Sequence, residues 1–421
     1  MALFAQEGSF TGAGSTGNQS ITGVGFQPSL VVFRWNLSTS DGTSADFVFG
    51  IGVGVSSSER RASGNYSTDN LVSSANQAWN QNTTCIYSKG GTPRADFVSH
   101  DADGFTINWL AATSTVINYL ALGGSDLTNV KAGTIAAKTS TGTQPYTGVG
   151  FQPTCLILFA GKFSTDSLDQ LTNGAAMLGF ATSSTERGCV AWRNRNGAAL
   201  QVAKHRQSKS KCAISLTDAG VFTEADFVSF DSDGFTLDFT TAGGSADICY
   251  YLALRGPRFK VSSFNQPGAT GNQALTGAGV TPKVSIFLSA NDTTANNDSN
   301  RAHALVSFGA ATGTSARGCI WAGETDATAL TECDHDLDRT KLIKMISNGT
   351  GTVNAAADHV SFDSDGQTIN WTTADATTRE VLVLWMGDAA TVSTPDPTFQ
   401  TRTNRPDMFR PGTIQGARWQ R

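Results

Sequence analysis

Short apolar or alternating runs, separated by loops rich in Gly, Ser, Thr and Asn, make up most of the chain, and no sustained helical period emerges. Pro28 leads into Ser29-Leu-Val-Val-Phe-Arg-Trp35, Pro153 into Thr154-Cys-Leu-Ile-Leu-Phe159, and Pro282 into Lys283-Val-Ser-Ile-Phe-Leu288. Each run reads as a strand starting just after a proline, where the missing N–H does least harm. A second recurring unit is Ala225-Asp-Phe-Val-Ser-Phe-Asp-Ser-Asp-Gly-Phe-Thr-Leu-Asp-Phe239, with near-copies at 95–109 and 357–371. It reads as two strands joined at Asp-Gly in a type I′ hairpin turn, which takes positive φ at its central residues. The one helix-like stretch, Asp336 to Ile346, has no counterpart in the other copies and is read as strand or loop.

The anchors recur in fixed order at intervals of about 130 residues, too long for a solenoid unit and right for a domain. Thr22-Gly-Val-Gly-Phe-Gln-Pro28 is repeated identically at 147–153 and more loosely at 276–282. Tyr119-Leu-Ala-Leu122, Tyr251-Leu-Ala-Leu254 and Leu382-Val-Leu-Trp385 close the three copies. The expected fold is all-β: three tandem β-sandwich, jelly-roll-like domains at 1–124, 131–256 and 257–389, followed by an extended basic arm at 390–421. About seven to nine strands are expected per copy, and a domain of ~130 residues buries enough surface to hold its own core. The joints around 125–134 and 255–261 are short, which implies copies that touch.

Composition agrees with this picture. Only 15% of residues are charged, and the net charge is −5. Strand faces are therefore covered by hydroxyls and amides more than by ion pairs. No apolar run approaches the ~18 residues a membrane span needs, so no membrane insertion is expected. Met-Ala-Leu-Phe-Ala-Gln-Glu has neither a basic nor an apolar signal-peptide region, which points to a protein made in a cytoplasm. The seven cysteines form no Cys-x-x-Cys pair and read as buried free thiols. From Thr401 on, Arg402, Arg405, Arg410, Arg418 and Arg421, interleaved with Phe409 and Trp419, face Asp407 alone. That basic segment on an acidic body suits an arm that docks on a neighbouring molecule.

Candidate chemistry is sparse. Asp101/Asp103, Asp231/Asp233 and Asp363/Asp365 open like an EF-hand loop but lack its later acidic ligand. They read as hairpin turns, the alternative being a weak surface Ca²⁺ site completed from another loop. Arg60, Arg187 and Arg317 occupy equivalent points and suit structural arginines that hold a loop carbonyl or a hairpin Asp. His100 and His359 stand where sister copies place phenylalanine, and read as packing. Cys333-Asp-His-Asp-Leu-Asp338 reads as an exposed acidic loop. No nucleophile elbow, zinc-protease, Walker or dinucleotide motif occurs, so neither catalysis nor a cofactor nor nucleic-acid binding is expected.

The set Gly-Phe-Gln-Pro, an apolar strand, Phe-Val-Ser-Phe-Asp-Ser-Asp-Gly-Phe-Thr and Tyr-Leu-Ala-Leu resembles modules of virion structural proteins of tailed bacteriophages, especially tail- and fibre-associated ones. The resemblance covers about residues 20–387. It implies a β-sandwich module, a place on a virion assembled in the bacterial cytoplasm, and no catalytic residues. Expected partners are other virion proteins, further copies of the chain, and a host-surface glycan. A capsid decoration protein and a carbohydrate-binding module are the alternatives.

Overall fold

The computed structural model describes residues 2–389 apart from Ser167 and Thr172. Among these the fold is all-β, with short 3-10 turns at Lys89–Gly91 and Thr294–Asn296 as the helical elements, and no helix is long and apolar enough to cross a membrane. Each copy contributes eleven strands, arranged as a large and a small antiparallel sheet. In the first copy the large sheet runs Phe4–Thr11, Val116–Gly123, Pro28–Trp35, Phe47–Gly54, Arg60–Ser67 and Asn76–Gln81. The small sheet runs Gly17–Thr22, Gly104–Ala111, Arg94–Asp101 and Ile86–Tyr87. The same order returns in the second and third copies.

The strand count exceeds the sequence expectation for a physical reason. Polar edge strands such as Gly17–Thr22 and Gly271–Thr276 are largely exposed and carry little apolar alternation. A further class of strand was invisible because its partner lies in another copy. Leu168–Leu171 of the second copy completes the large sheet of the first by pairing with Asn76–Gln81. Arg301–Ala302 of the third does the same for the second, and Gly42–Ala45 of the first for the third. The exchange closes a cycle, and it caps three sheet edges that would otherwise be open templates for aggregation.

Burial explains the apolar runs. Phe47–Gly54, Gly174–Ala181 and Ala304–Ala311 are buried at every position, as expected of strands covered on both faces. One face packs on the copy's own small sheet, making three local cores around Phe33, Leu158 and Phe287. The other face enters one shared core that includes Phe49, Ile157, Phe180, Trp192, Ile286 and Phe308. The copies thus have a core apiece and also a common one, which the expectation of self-sufficient domains did not contain.

The Asp-Gly hairpins take a different turn from the expected type I′. Asp231 pairs with Gly234, so the loop residues are Ser232 and Asp233, neither of which has positive φ. Gly234 begins the return strand at φ 153°, and a Cβ there would stand 1.9 Å from the Tyr146 carbonyl oxygen of the neighbouring strand. Gly104 and Gly366 meet the Ile21 and Leu275 carbonyls at the same 1.9 Å. Such a conformation is nearly exclusive to glycine, and an alanine pays about 1–3 kcal/mol for it before any clash. Gly234→Ala is expected to lower the urea midpoint clearly. Gly197→Ala is expected to be mild: its site at φ 69° is open, and Ala327 already holds the equivalent position at φ 63°. Equal effects of the two substitutions would contradict the steric account.

Candidate functional site

The chemistry that recurs between the copies resolves into fasteners within each copy. Asp103 accepts from the backbone N–H groups of Gly23 (3.0 Å) and Gly25 (2.6 Å), tying the Thr-Gly-Val-Gly loop to the hairpin. Asp233 does so with Gly148 and Gly150, and Asp365 with Gly277 and Gly279. The first aspartates of the pairs accept from hydroxyls: Asp101 from Ser99 and Thr106, Asp231 from Ser229 and Thr236, Asp363 from Ser361 and Thr368. These donors hold the Asp101 carboxyl below its ordinary range. The oxygens a Ca²⁺ ion would use are thus engaged by the fold, and no group of three or more acidic, His or Cys side chains gathers to hold a metal among the described residues.

The three arginines also act locally. Arg60 donates to the carbonyls of Thr83, Ser57 and Phe97 and lies 3.6 Å from Asp96. Arg187 repeats the set with Ser210, Ser184, Phe227 and Asp226. Arg317 donates to Thr340 (2.6 Å) and Asp358 (3.0 Å). His100 packs on Phe97 with Nε2 3.0 Å from the Val55 carbonyl, and His359 packs on Phe362 beside Gln367. The cysteines are all free, and six of the seven are buried. The residues Arg402, Arg405, Phe409, Arg410, Arg418, Trp419 and Arg421 lie outside the described residues.

Cys333–Asp338 is not an exposed loop. It is a strand with Cys333, His335, Asp336 and Leu337 buried, because Gly42–Ala45 of the first copy pairs along its outer edge. Lys344 pairs with two of its three acids, at 2.9 Å from Asp336 and 2.6 Å from Asp338.

The side chains that bring different copies together lie where the three large sheets meet. Ser67, Asn194 and Glu324 end equivalent strands, and each is fully buried. Trp192 Nε1 donates to Asn65 Oδ1 (2.8 Å), Asn65 donates to Asn194 Oδ1 (3.0 Å), and Asn194 donates to Glu324. This chain crosses all three copies. Burial pushes the Glu324 carboxyl up to about 8, against the pull of Ser67 and Asn194. It is therefore a neutral acid near pH 7, the form that burial favours.

Beyond these strands the loops interlock in rotation. Asn70 N–H donates to the Thr331 carbonyl (2.8 Å), Gly197 N–H to Ser74 (2.7 Å), and Ala327 N–H to Gln201 (2.9 Å). Side chains repeat the handover: Asp69 accepts from Cys333 N–H, Asn196 from Asn76 N–H and Asp326 from Ala203 N–H. Val72, Leu200 and Leu330 are exposed on the same three loops. Sequence reasoning missed this convergence. The available signal was a polar residue at one fixed offset beyond each repeat arginine: Ser67, Asn194 and Glu324 each stand seven positions after Arg60, Arg187 and Arg317.

A raised carboxyl in the native state binds its proton where the unfolded chain has lost it, so its contribution is present at low pH and fades as pH rises from the unfolded value toward 8. Glu324→Gln keeps the hydrogen bond from Asn194 and removes the titration. The melting temperature of the variant relative to the parent is expected to rise between pH 5 and pH 9. A flat difference would contradict a neutral Glu324.

No protein-family model matches the chain, and no curated protein matches it. A solved structure to which the chain is similar comes from the atomic structure of Sulfolobus Turreted Icosahedral Virus, with 10% identity, a TM-score of 0.14, and coverage of 93% of this chain and 92% of that chain. At that TM-score the likeness carries no weight for fold or function.

Proposed function

We propose that the chain is a non-enzymatic structural protein of a virus particle and, more finely, a tail, baseplate or fibre component. The observation that carries this reading is the cyclic strand exchange between three copies of one sandwich. It makes a single chain into a body that offers equivalent loops three times, a form suited to seating on symmetric partners. Catalysis is disfavoured because the polar groups that converge, Ser67, Asn194 and Glu324, are buried and serve cohesion between copies. The repeated motifs that resemble virion modules supply the particle context. The partners are then other virion proteins and further copies, with a host glycan as a candidate ligand of the exposed loops.

Antibody labelling of purified particles by electron microscopy tests the proposal. Label at the tail end is expected. Label over the shell would replace the finer reading with capsid decoration, and particles free of label would overturn both. A chain lacking 391–421 is expected to fold and to be missing from particles; normal incorporation would rule out a docking role for the basic segment.

A further inference from the structure

We propose that the junction between the second and third copies holds a binding pocket for a neutral saccharide, recognised through two adjacent hydroxyl groups. The cavity, of about 220 Å³, opens beside the exchanged strand Arg301–Ala302. His205 of the second copy and Asn291, Asp292, Arg301, Leu305 and Arg379 of the third line it.

Three side chains, each more than nine-tenths buried, line this cavity with an atom that has no hydrogen-bond partner: His205 Nε2, Asn291 Oδ1 and Asp292 Oδ2. His205 Nδ1 lies 2.8 Å from the His303 carbonyl, which only accepts, so Nδ1 carries the proton and Nε2 of the neutral ring is an acceptor. Nε2 and Asp292 Oδ2 stand 3.4 Å apart with no hydrogen bond between them. Two acceptors side by side call for two neighbouring donors, the pattern that adjacent hydroxyls of a sugar ring present. Buried polar atoms left unpaired are costly, and native structures supply them with partners. A single water needs only about 10–15 Å³ of such space, so the cavity takes a larger guest. Its charges are already matched: Arg301 Nε is 3.7 Å from Asp292 Oδ1, and Arg379 is 2.8 Å from Asp375. The arginines repel a cation and the Asp292 carboxylate repels an anion, which leaves a neutral guest favoured.

The sister copies show that the fold does not need these polar groups. The Asp292 carbonyl accepts from Glu380 N–H as the Ser38 carbonyl does from Val116 and the Phe163 carbonyl from Ile248, so the three residues hold one position. Asn291, at φ 63°, stands where the first copy has Leu37 at φ 64°. Arg301 pairs opposite His205 where Ser44 pairs opposite His335. Leu37 packs on the first copy's own core, and Phe163 is buried in the second. Only the third copy puts an amide, a carboxylate and a guanidinium at these places, around a space that is open. A shaped cavity with a few convergent polar groups is the usual form of a small-molecule site.

The choice of a saccharide rests on the reading of the chain as a particle protein with a host glycan as ligand; the geometry of the cavity does not. The test titrates the full chain with the methyl glycosides of glucose, galactose, mannose and N-acetylglucosamine, following the ring ¹H–¹³C signals of its five histidines. His205 is expected to shift saturably with at least one of them, while His335, its counterpart at the other exchanged edge, stays still. Asp292→Ser and Asn291→Leu, each borrowed from the first copy, are expected to fold and to weaken the apparent affinity at least tenfold. No saturable shift of His205 with any of the four would overturn the proposal, as would undiminished binding in folded Asp292→Ser. A saturable shift with Zn²⁺ alone and with no glycoside would assign the cavity to a metal ion and overturn it too. If Asp292→Ser does not fold, Asn291→Leu and the parent titration decide. Glycoside binding by a chain that is absent from particles would support the pocket and overturn the particle role; label at the tail end without any glycoside binding would do the reverse.

Discussion

Truncating Trp192 to alanine lowers the free energy of unfolding by about 3–5 kcal/mol, among the largest effects of any single substitution in the chain. The indole is 1% exposed and meets Phe49 of the first copy edge-to-face at 4.9 Å between ring centres. Phe49 in turn lies 6.4 Å from Phe308 of the third copy, so one side chain's removal opens a void shared by all three. The loss also strips Asn65 of the donor to its Oδ1 at a site with no exposure. Trp192→Phe separates the two contributions: it keeps most of the ring contact and costs about 1–3 kcal/mol for the unpaired buried carbonyl. Urea unfolding followed by the remaining tryptophans measures both. A cost below about 1 kcal/mol for Trp192→Ala would mean that the copies do not depend on their common core.

The second large effect comes from the junction between the first and third copies, which is built differently from the other two. Elsewhere a half-buried pair reaches across: Lys131 to Glu59 and Lys260 to Glu186, each at 2.6 Å. Such partly exposed pairs contribute little, about 0–1 kcal/mol. At the third junction Ala316 replaces the glutamate, and Gln6 stands at the lysine position. In their place Arg34 donates two hydrogen bonds to Glu7, donates a third to the Gly318 carbonyl of the third copy at 2.9 Å, and lies over the Phe308 ring. Both side chains are almost wholly buried, at 1% and 2% exposure. Glu7→Ala leaves the guanidinium without a counter-charge and is expected to cost about 3–5 kcal/mol. By register, the third copy has Val261 and Leu288 at the positions of Glu7 and Arg34. The double variant Glu7→Val/Arg34→Leu is therefore expected to recover most of the loss, since apolar replacement of a buried pair is often neutral. A double variant as unstable as Glu7→Ala would show that the ion pair itself, rather than the avoidance of a lone charge, holds the junction.

What the sequence made legible was whatever each copy repeats for itself. The prolines, the glycine loops and the Asp-x-Asp-Gly hairpins recur because every sandwich needs the same turns, so comparing the copies placed them. The partners of Asp103 and Arg60 could not be read, since backbone N–H and carbonyl groups leave no trace in residue identity. The exchanged strand Gly42–Ala45 is exposed at every residue and pairs with a strand almost 300 residues away, so neither apolar alternation nor a nearby turn marks it. The shared core was half legible. Runs such as Phe47-Val-Phe-Gly-Ile announce strands buried on both faces, but not which copy covers the second face.

The central claim is that residues 2–389 cohere as one cooperative body through a common core and exchanged edges. Differential scanning calorimetry tests it directly by comparing the calorimetric and van't Hoff enthalpies of unfolding. One transition with a ratio of about 1 is expected, and Trp192→Ala should move that whole transition to lower temperature. Three resolvable transitions, or a ratio of about 3 with Trp192→Ala shifting only one of them, would contradict it.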